Sequence, residues 1–214
     1  MNLKLNYKQK KRSVDWVTVL LVIIIALLLC RVIFTATYTK VYVVGDSMRD
    51  TLAGGYEDEQ HKKVYPGGDY VYTFKTKVIS RGNIVTLRAT DPNTGAVKTI
   101  IKRVIAFGGE SVEIQGGKVY IDGEMLDEPY LNPERNSPTQ DNFVLDTVDG
   151  KVPQGHIFCL GDNRVNSWDS RYYGCFDRSV VTGVVADWSL HIKGIKTPIN
   201  SFFDFTLPNA FGSN

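Results

Sequence analysis

The densest polar stretch of the chain is residues 161–174, where Asp162, Asn163, Arg164, Asn166, Ser167, Asp169, Ser170 and Arg171 lie between Gly161 and Gly174. Gly, Asn, Asp and Ser together often form no more than a solvated turn. Here residues 152–160 lead straight in as an apolar, strand-like run. A polar knot joined so closely to a core strand points to a site. Read as an extended segment, it would put Asp169 and Arg171 on the same side.

Serine is a weak nucleophile until another group takes its proton. The usual partner is histidine, and the chain has His61 in an acidic stretch, His156 before an apolar run and His191 near the tail. None has an acidic orienter at a telling spacing, so a Ser–His–Asp triad is not expected. Lys102 is the better base. Its surroundings, Ile100, Ile101, Arg103, Val104, Ile105, Ala106 and Phe107, read as a strand with Ile100, Lys102, Val104 and Ala106 on one face. Ile101, Arg103 and Ile105 take the other face. A lysine held among apolar side chains loses hydration of its charged form, and about 3 kcal/mol of that loss lowers its pKa from ~10.4 to ~8. A lysine snorkelling from an edge strand would leave the same residues in the sequence, so these residues alone leave both readings open.

The knot, GDNRxNSxDSRxxG, resembles the C-terminal signature of the type I signal peptidases, membrane serine proteases that use a Ser–Lys dyad; members usually carry Asp where this chain has Val165. Gly45, Asp46, Ser47 and Met48 resemble the family's serine box, and residues 101–105 its lysine box. Residues 119–123 and 128–131 are similar to spacers of the same enzymes, so the resemblance spans about residues 41–190. It implies Ser47 as nucleophile, Lys102 as general base and Ser167 as the hydroxyl that orients the lysine amine. It also implies that Asp162, Asp169 and Arg171 brace the site, with Arg103 a partner for Asp162. The implied substrate is an exported preprotein cut after small residues one and three positions before the scissile bond. Val41, Val43, Met48, Leu52 and Ile101 are the side chains expected to line shallow pockets for those residues. No metal and no other cofactor is implied, no nucleic acid is expected as partner, and a monomer in contact with the lipid bilayer is expected.

Departures from the family pattern surround the dyad without touching it. Asp50 stands where Pro usually follows the Ser-Met pair, and Asn83 replaces an acid in residues 81–85. Residues 107–110 read Phe-Gly-Gly-Glu where Leu-Pro-Gly-Asp is more usual. Gly45 occupies the position at which some members place a hydroxyl for the oxyanion, which leaves that work to backbone N–H groups such as that of Ser47.

The elements that must position these residues are mainly β. The chain of 214 residues, with 19 Gly, 8 Pro and a net charge of +2, suits short strands joined by tight turns and shows no bias toward polyanions. Residues 1–12 are basic and form an expected cytoplasmic tail; residues 13–36 form a transmembrane anchor, whose apolar stretch 16–34 is long enough for about 30 Å of hydrocarbon. A cleavable signal peptide is disfavoured because the apolar run is long and its exit, residues 35–37, is a weak small-x-small site. Residues 37–214 are expected to form an extracytoplasmic, β-rich, signal-peptidase-like catalytic domain. It would carry a polar insertion at 53–68, a loop at 132–150 and an aromatic tail packed on the domain. Strands are expected at about 40–44, 69–75, 83–89, 97–107, 111–115, 118–122, 156–160 and 180–188, with a turn at 91–95 and no substantial helix beyond the anchor. Cys159 and Cys175 flank the knot and are candidates either for a disulfide or for two reduced core thiols. The alternatives to an active signal peptidase are a self-cleaving Ser–Lys repressor domain, which would not need the anchor, and an inactive or specialised homologue that assembles surface structures.

Overall fold

The computed structural model describes residues 15–58, 63–65, 67–75, 78–133 and 142–192. It forms two units, residues 1–36 and 37–214. In the first, the apolar run belongs to helix α1, Trp16–Thr37, whose start is fixed by the Asp15 carboxylate accepting from the Val17 N–H and the Thr18 hydroxyl. None of its side chains is buried, and its length and composition suffice to cross a membrane. The helix is apolar all round, with no polar face to turn to water.

The second unit opens with β1 (Tyr38–Tyr42), the hairpin strands β2 (Tyr56–Asp58) and β3 (Lys63–Tyr65), and then β4 (Tyr70–Phe74), β5 (Ile84–Thr90) and β6 (Val97–Phe107). It continues through β7 (Val112–Gln115), β8 (Lys118–Ile121), β9 (Glu124–Met125), β10 (Phe143–Val144) and β11 (His156–Leu160). Helix α2 (Ser170–Tyr173), β12 (Phe176–Asp177), β13 (Val181–Val185) and helix α3 (Asp187–Ile192) complete the described part. Seven strands form one antiparallel sheet in the order β1-β4-β13-β5-β6-β11-β12, and four more form a second in the order β10-β7-β8-β9.

β6 is the strand on which the site is built. From Ile84↔Arg103 to Thr90↔Val97 it pairs with β5, while β11 joins its other edge only from Arg103 onward, opposite Leu160. Residues 97–102 therefore pair with β5 alone. The turn at 91–95 forms as expected: Asp91 accepts from the Asn93 and Thr94 N–H groups, and Gly95 takes φ +70°. The expected alternation along β6 holds for Ile100 and Val104, which pack with Val85, Leu87 and Cys159, whereas Ile101 packs with Val43, Met48 and Leu52. It fails at Ala106. A register shift against Phe158 and Cys159 puts Ala106 into the same cluster as Ile105.

Two local expectations also differ. The stretch 180–188 is not one strand: β13 ends at Val185 and α3 follows, with Ser189 buried and its hydroxyl accepting from the Tyr72 N–H. The polar insertion 53–68 carries the β2–β3 hairpin, pinned at its base by a Val44↔Gly55 bridge. Within the loop 132–150, residues 143–144 pair with β7, and residues 134–141 lie outside the described residues. The aromatic tail also lies outside them.

Candidate active site

Lys102 is 3% exposed, and its Nζ donates to the Ser47 hydroxyl oxygen at 2.7 Å and to the Ile101 carbonyl at 2.9 Å. Burial between sheet neighbours removes water from the ammonium and lowers its pKa from 10.5 to about 8. The negative charges of Asp169 and Asp162 oppose that shift, and the Arg171 guanidinium adds to it. Among the described residues Lys102 is the one side chain bonded to the Ser47 hydroxyl. His156 instead sits by the Gln154 carbonyl, His191 lies in α3, and His61 is outside the described residues.

Ser47 stands on a turn held from below. Gly45 enters it at φ +77°, its N–H bonded to the Gly55 carbonyl, and the Met48 carbonyl accepts from the Thr51 and Leu52 N–H groups. Met48 and Leu52 are completely buried and anchor the turn in the core beside Val43 and Val71. The turn closes through Asp50 at φ +86°, a conformation that the proline ring, fixed near about −65°, cannot adopt. A proline at this position would therefore not fit the turn seen here.

The polar knot meets this turn from the other side. The Asn163 N–H donates to the Ser47 carbonyl and its side-chain amide to the Asp46 carbonyl, both at 3.0 Å. Asp162 accepts two bonds from Arg103, at 2.9 and 2.6 Å, and one from the Thr51 hydroxyl. Asp169 accepts from the Gly161 N–H at 3.0 Å and twice from the Arg171 guanidinium at 2.9 Å, and it caps α2. Asp169 and Arg171 therefore meet through a helix cap, not by the strand alternation expected from sequence. A second buried pair, Arg164 with Glu128, lies beside Tyr130, whose hydroxyl donates to Glu128 and whose ring lies 3.8 Å from the Arg103 guanidinium. Sequence reasoning placed Asn163 and Arg164 in the knot, and Glu128 and Tyr130 in a matched spacer, without giving any of them a role, and it passed over Thr51.

Ser167 departs from expectation. Its buried hydroxyl has no hydrogen-bond partner among the described residues, and the two bonds of Lys102 go elsewhere. It crowds Gly161: a Cβ at that position would come within 2.2 Å of the Ser167 Oγ and 2.4 Å of the Ser47 carbonyl oxygen.

A cavity of about 330 Å³ opens beside the pair, lined by Val41, Tyr42, Val44, Ser47, Thr86, Thr99, Ile100, Ile101 and Lys102. Of the five expected pocket residues, Val41 and Ile101 line it. Val43, Met48 and Leu52 do not: strand β1 ends at Tyr42, and these three turn into the core beneath the serine. Cys159 and Cys175 are free thiols; Cys159 packs in the β5–β6 cluster and Cys175 against the cluster of the second sheet, and burial raises both thiol pKa values.

The family model for signal peptidases, peptidase S26, matches residues 13–188. Signal peptidase I S of Bacillus subtilis (strain 168) is 32% identical over 182 residues, covering 83% of this chain and 89% of its own. Signal peptidase I of Bacillus licheniformis is 34% identical over 178 residues, covering 81% of this chain and 87% of its own. A solved signal peptidase I from Enterococcus faecalis V583 is 35% identical, with a TM-score of 0.43 over 51% of this chain and 97% of that one. The chain belongs to the signal peptidase family of hydrolases, peptidase S26.

Proposed function

We propose that this chain is a membrane-anchored serine endopeptidase that removes signal peptides from exported preproteins, with Ser47 as nucleophile and Lys102 as general base. The observation that carries this reading is the 2.7 Å hydrogen bond between a serine hydroxyl and a lysine amine that is buried and has a pKa near 8. At pH 7.5 that pKa leaves about a quarter of the lysines neutral, against about a thousandth for an ordinary lysine. The neutral amine accepts the proton of the Ser47 O–H as Oγ attacks the scissile carbonyl carbon. The Ser47 N–H, with no partner among the described residues, is available to the developing oxyanion. When the C–N bond breaks, the ammonium returns the proton to the leaving amine, and the acyl group stays on Oγ until Lys102 activates a water to hydrolyse the ester.

The knot keeps these atoms in place. Asn163 fixes the Ser47 turn, and the Asp162–Arg103 pair ties the knot to the residue next to Lys102. Ser167, whose idle hydroxyl approaches Gly161 beside the Ser47 carbonyl, is assigned the third bond of Lys102 in its charged form, because an ammonium has three N–H groups to satisfy.

Substrate binding follows from the strand edges. An extended peptide can add to residues 97–102 of β6, which pair with β5 alone. Its side chains near the cut would enter the cavity of Val41, Val44, Thr86, Thr99 and Ile101, whose size admits small groups. The basic residues 1–12 would keep the N-terminus in the cytoplasm and place the β unit outside, as a monomer whose anchor holds it near tethered preproteins. The test is cleavage of a preprotein by the full-length chain in detergent. Ser47→Ala and Lys102→Met should each abolish it, with the double variant no worse than either. Turnover retained in Lys102→Met would remove lysine from the mechanism.

A further inference from the structure

Trp168 is 60% exposed although it stands in the middle of the buried knot, between Ser167 and Asp169. Its ring lies tilted against Tyr172, with centroids 4.6 Å apart and planes 32° apart. Tyr172 is fixed in turn: Asn93 donates to its hydroxyl at 2.6 Å, and Tyr173 meets it edge-on at 5.0 Å. Tyr173 then packs on Phe176, 5.9 Å away, in the core. Four aromatic rings thus run from solvent to the core. The outermost, large and apolar, covers nothing that its own burial explains. An exposed indole braced against a neighbouring ring loses little freedom when something lies on it, which is the property of a binding surface.

Its place in the fold says what lies there. Trp168 follows Ser167, whose hydroxyl crowds Gly161 against the Ser47 carbonyl. Asn93 lies in the turn that joins β5 to β6. Helix α2 follows β11, which pairs β6 only from Arg103 onward, and it reaches back to that turn through Tyr172. The aromatic pair therefore runs from the residue after Ser167 to the turn that opens β6, whose residues 97–102 pair with β5 alone. It is also outside the lining of the cavity beside Ser47. We infer that Trp168 and Tyr172 form a platform for an apolar side chain of the preprotein, at a position outside the small-residue pockets. The inference rests on the proposed peptidase activity and adds a second, more permissive determinant of substrate choice. Trp168 is a specificity residue in this account and takes no part in the bond changes.

The experiment uses the full-length chain in detergent and preprotein peptides in which each position around the cut is Ala or Leu in turn. Wild type should prefer Leu at one position outside the small-residue pair, by about three- to tenfold in kcat/KM and mainly through KM. Trp168→Ala should lose that preference, and Trp168→Phe should keep most of it. Leu-to-Ala ratios in Trp168→Ala that equal wild type at every position overturn the proposal. So does the finding that Trp168→Ala changes only binding to phosphatidylglycerol vesicles, which would make the platform a lipid contact. Binding of the same peptides to Ser47→Ala, with and without Trp168→Ala, gives the ratios without cleavage. If wild type cuts nothing, the proposed activity fails, and these binding ratios still decide the platform.

Discussion

The Arg103 guanidinium and the Asp162 carboxylate form a doubly hydrogen-bonded ion pair, 2.9 Å from Nε to Oδ1 and 2.6 Å from Nη2 to Oδ2, one residue along β6 from Lys102. Both side chains are buried, and the pair joins the lysine strand to the knot and, through Thr51, to the serine turn. Removing one partner leaves an uncompensated charge out of water. Asp162→Ala should therefore lower the unfolding free energy by about 3–5 kcal/mol, and Arg103→Met with Asp162→Leu should recover much of the loss. Urea unfolding of wild type and the two variants in detergent checks this; equal stability of Asp162→Ala and wild type would mean that the pair holds nothing together.

Gly161 is small because two groups of the site approach it. Gly161→Ala would drive a methyl group to 2.2 Å from the Ser167 hydroxyl and 2.4 Å from the Ser47 carbonyl. The serine turn or Ser167 must shift, and a displacement of that size costs about a hundredfold in turnover. Single-turnover cleavage should show the loss in the chemical step, with peptide affinity reduced much less. An undiminished rate would show that the turn yields without harm.

Asp50 carries a φ of +86° that suits glycine better than aspartate. Asp50→Gly should raise the unfolding free energy by about 1 kcal/mol, and Asp50→Pro should lower it by about 3 kcal/mol or more because the ring forbids the turn. Thermal unfolding in detergent gives both signs. A stabilising Asp50→Pro would contradict the conformation seen here.

Much of this was legible in the residues, for reasons that also explain the misses. Strand β6 and the turn before it were visible because β-branched residues, an Asp-Pro-Asn-Thr-Gly turn and a long apolar run agree there. Lys102 stood out because a cation in such a run must either be neutralised or find its way to water. Helices α2 and α3, four and six residues long, are too short to show a helical period. Val43, Met48 and Leu52 illustrate a deeper ambiguity: apolar residues beside a nucleophile can line a pocket or anchor its turn, and only the folded turn, which buries all three, decides between them. Likewise nothing in the letters distinguishes the buried Glu128–Arg164 pair from two solvated charges.

Catalysis through Ser47 requires Lys102 to lose its proton well below the ordinary lysine range. The folded site disfavours the ammonium, so lowering the pH through about 8 protonates the base and should switch the enzyme off, and raising it should switch it on. The direct measurement is kcat/KM for preprotein cleavage from about pH 6 to pH 11, on wild type and on Val104→Thr, which brings a polar group next to the lysine's apolar wall. The rate should climb with pH to a midpoint near 8, with a higher midpoint in Val104→Thr, where the ammonium is easier to hydrate. A wild-type midpoint near 10.5, or one that Val104→Thr leaves in place, would contradict it.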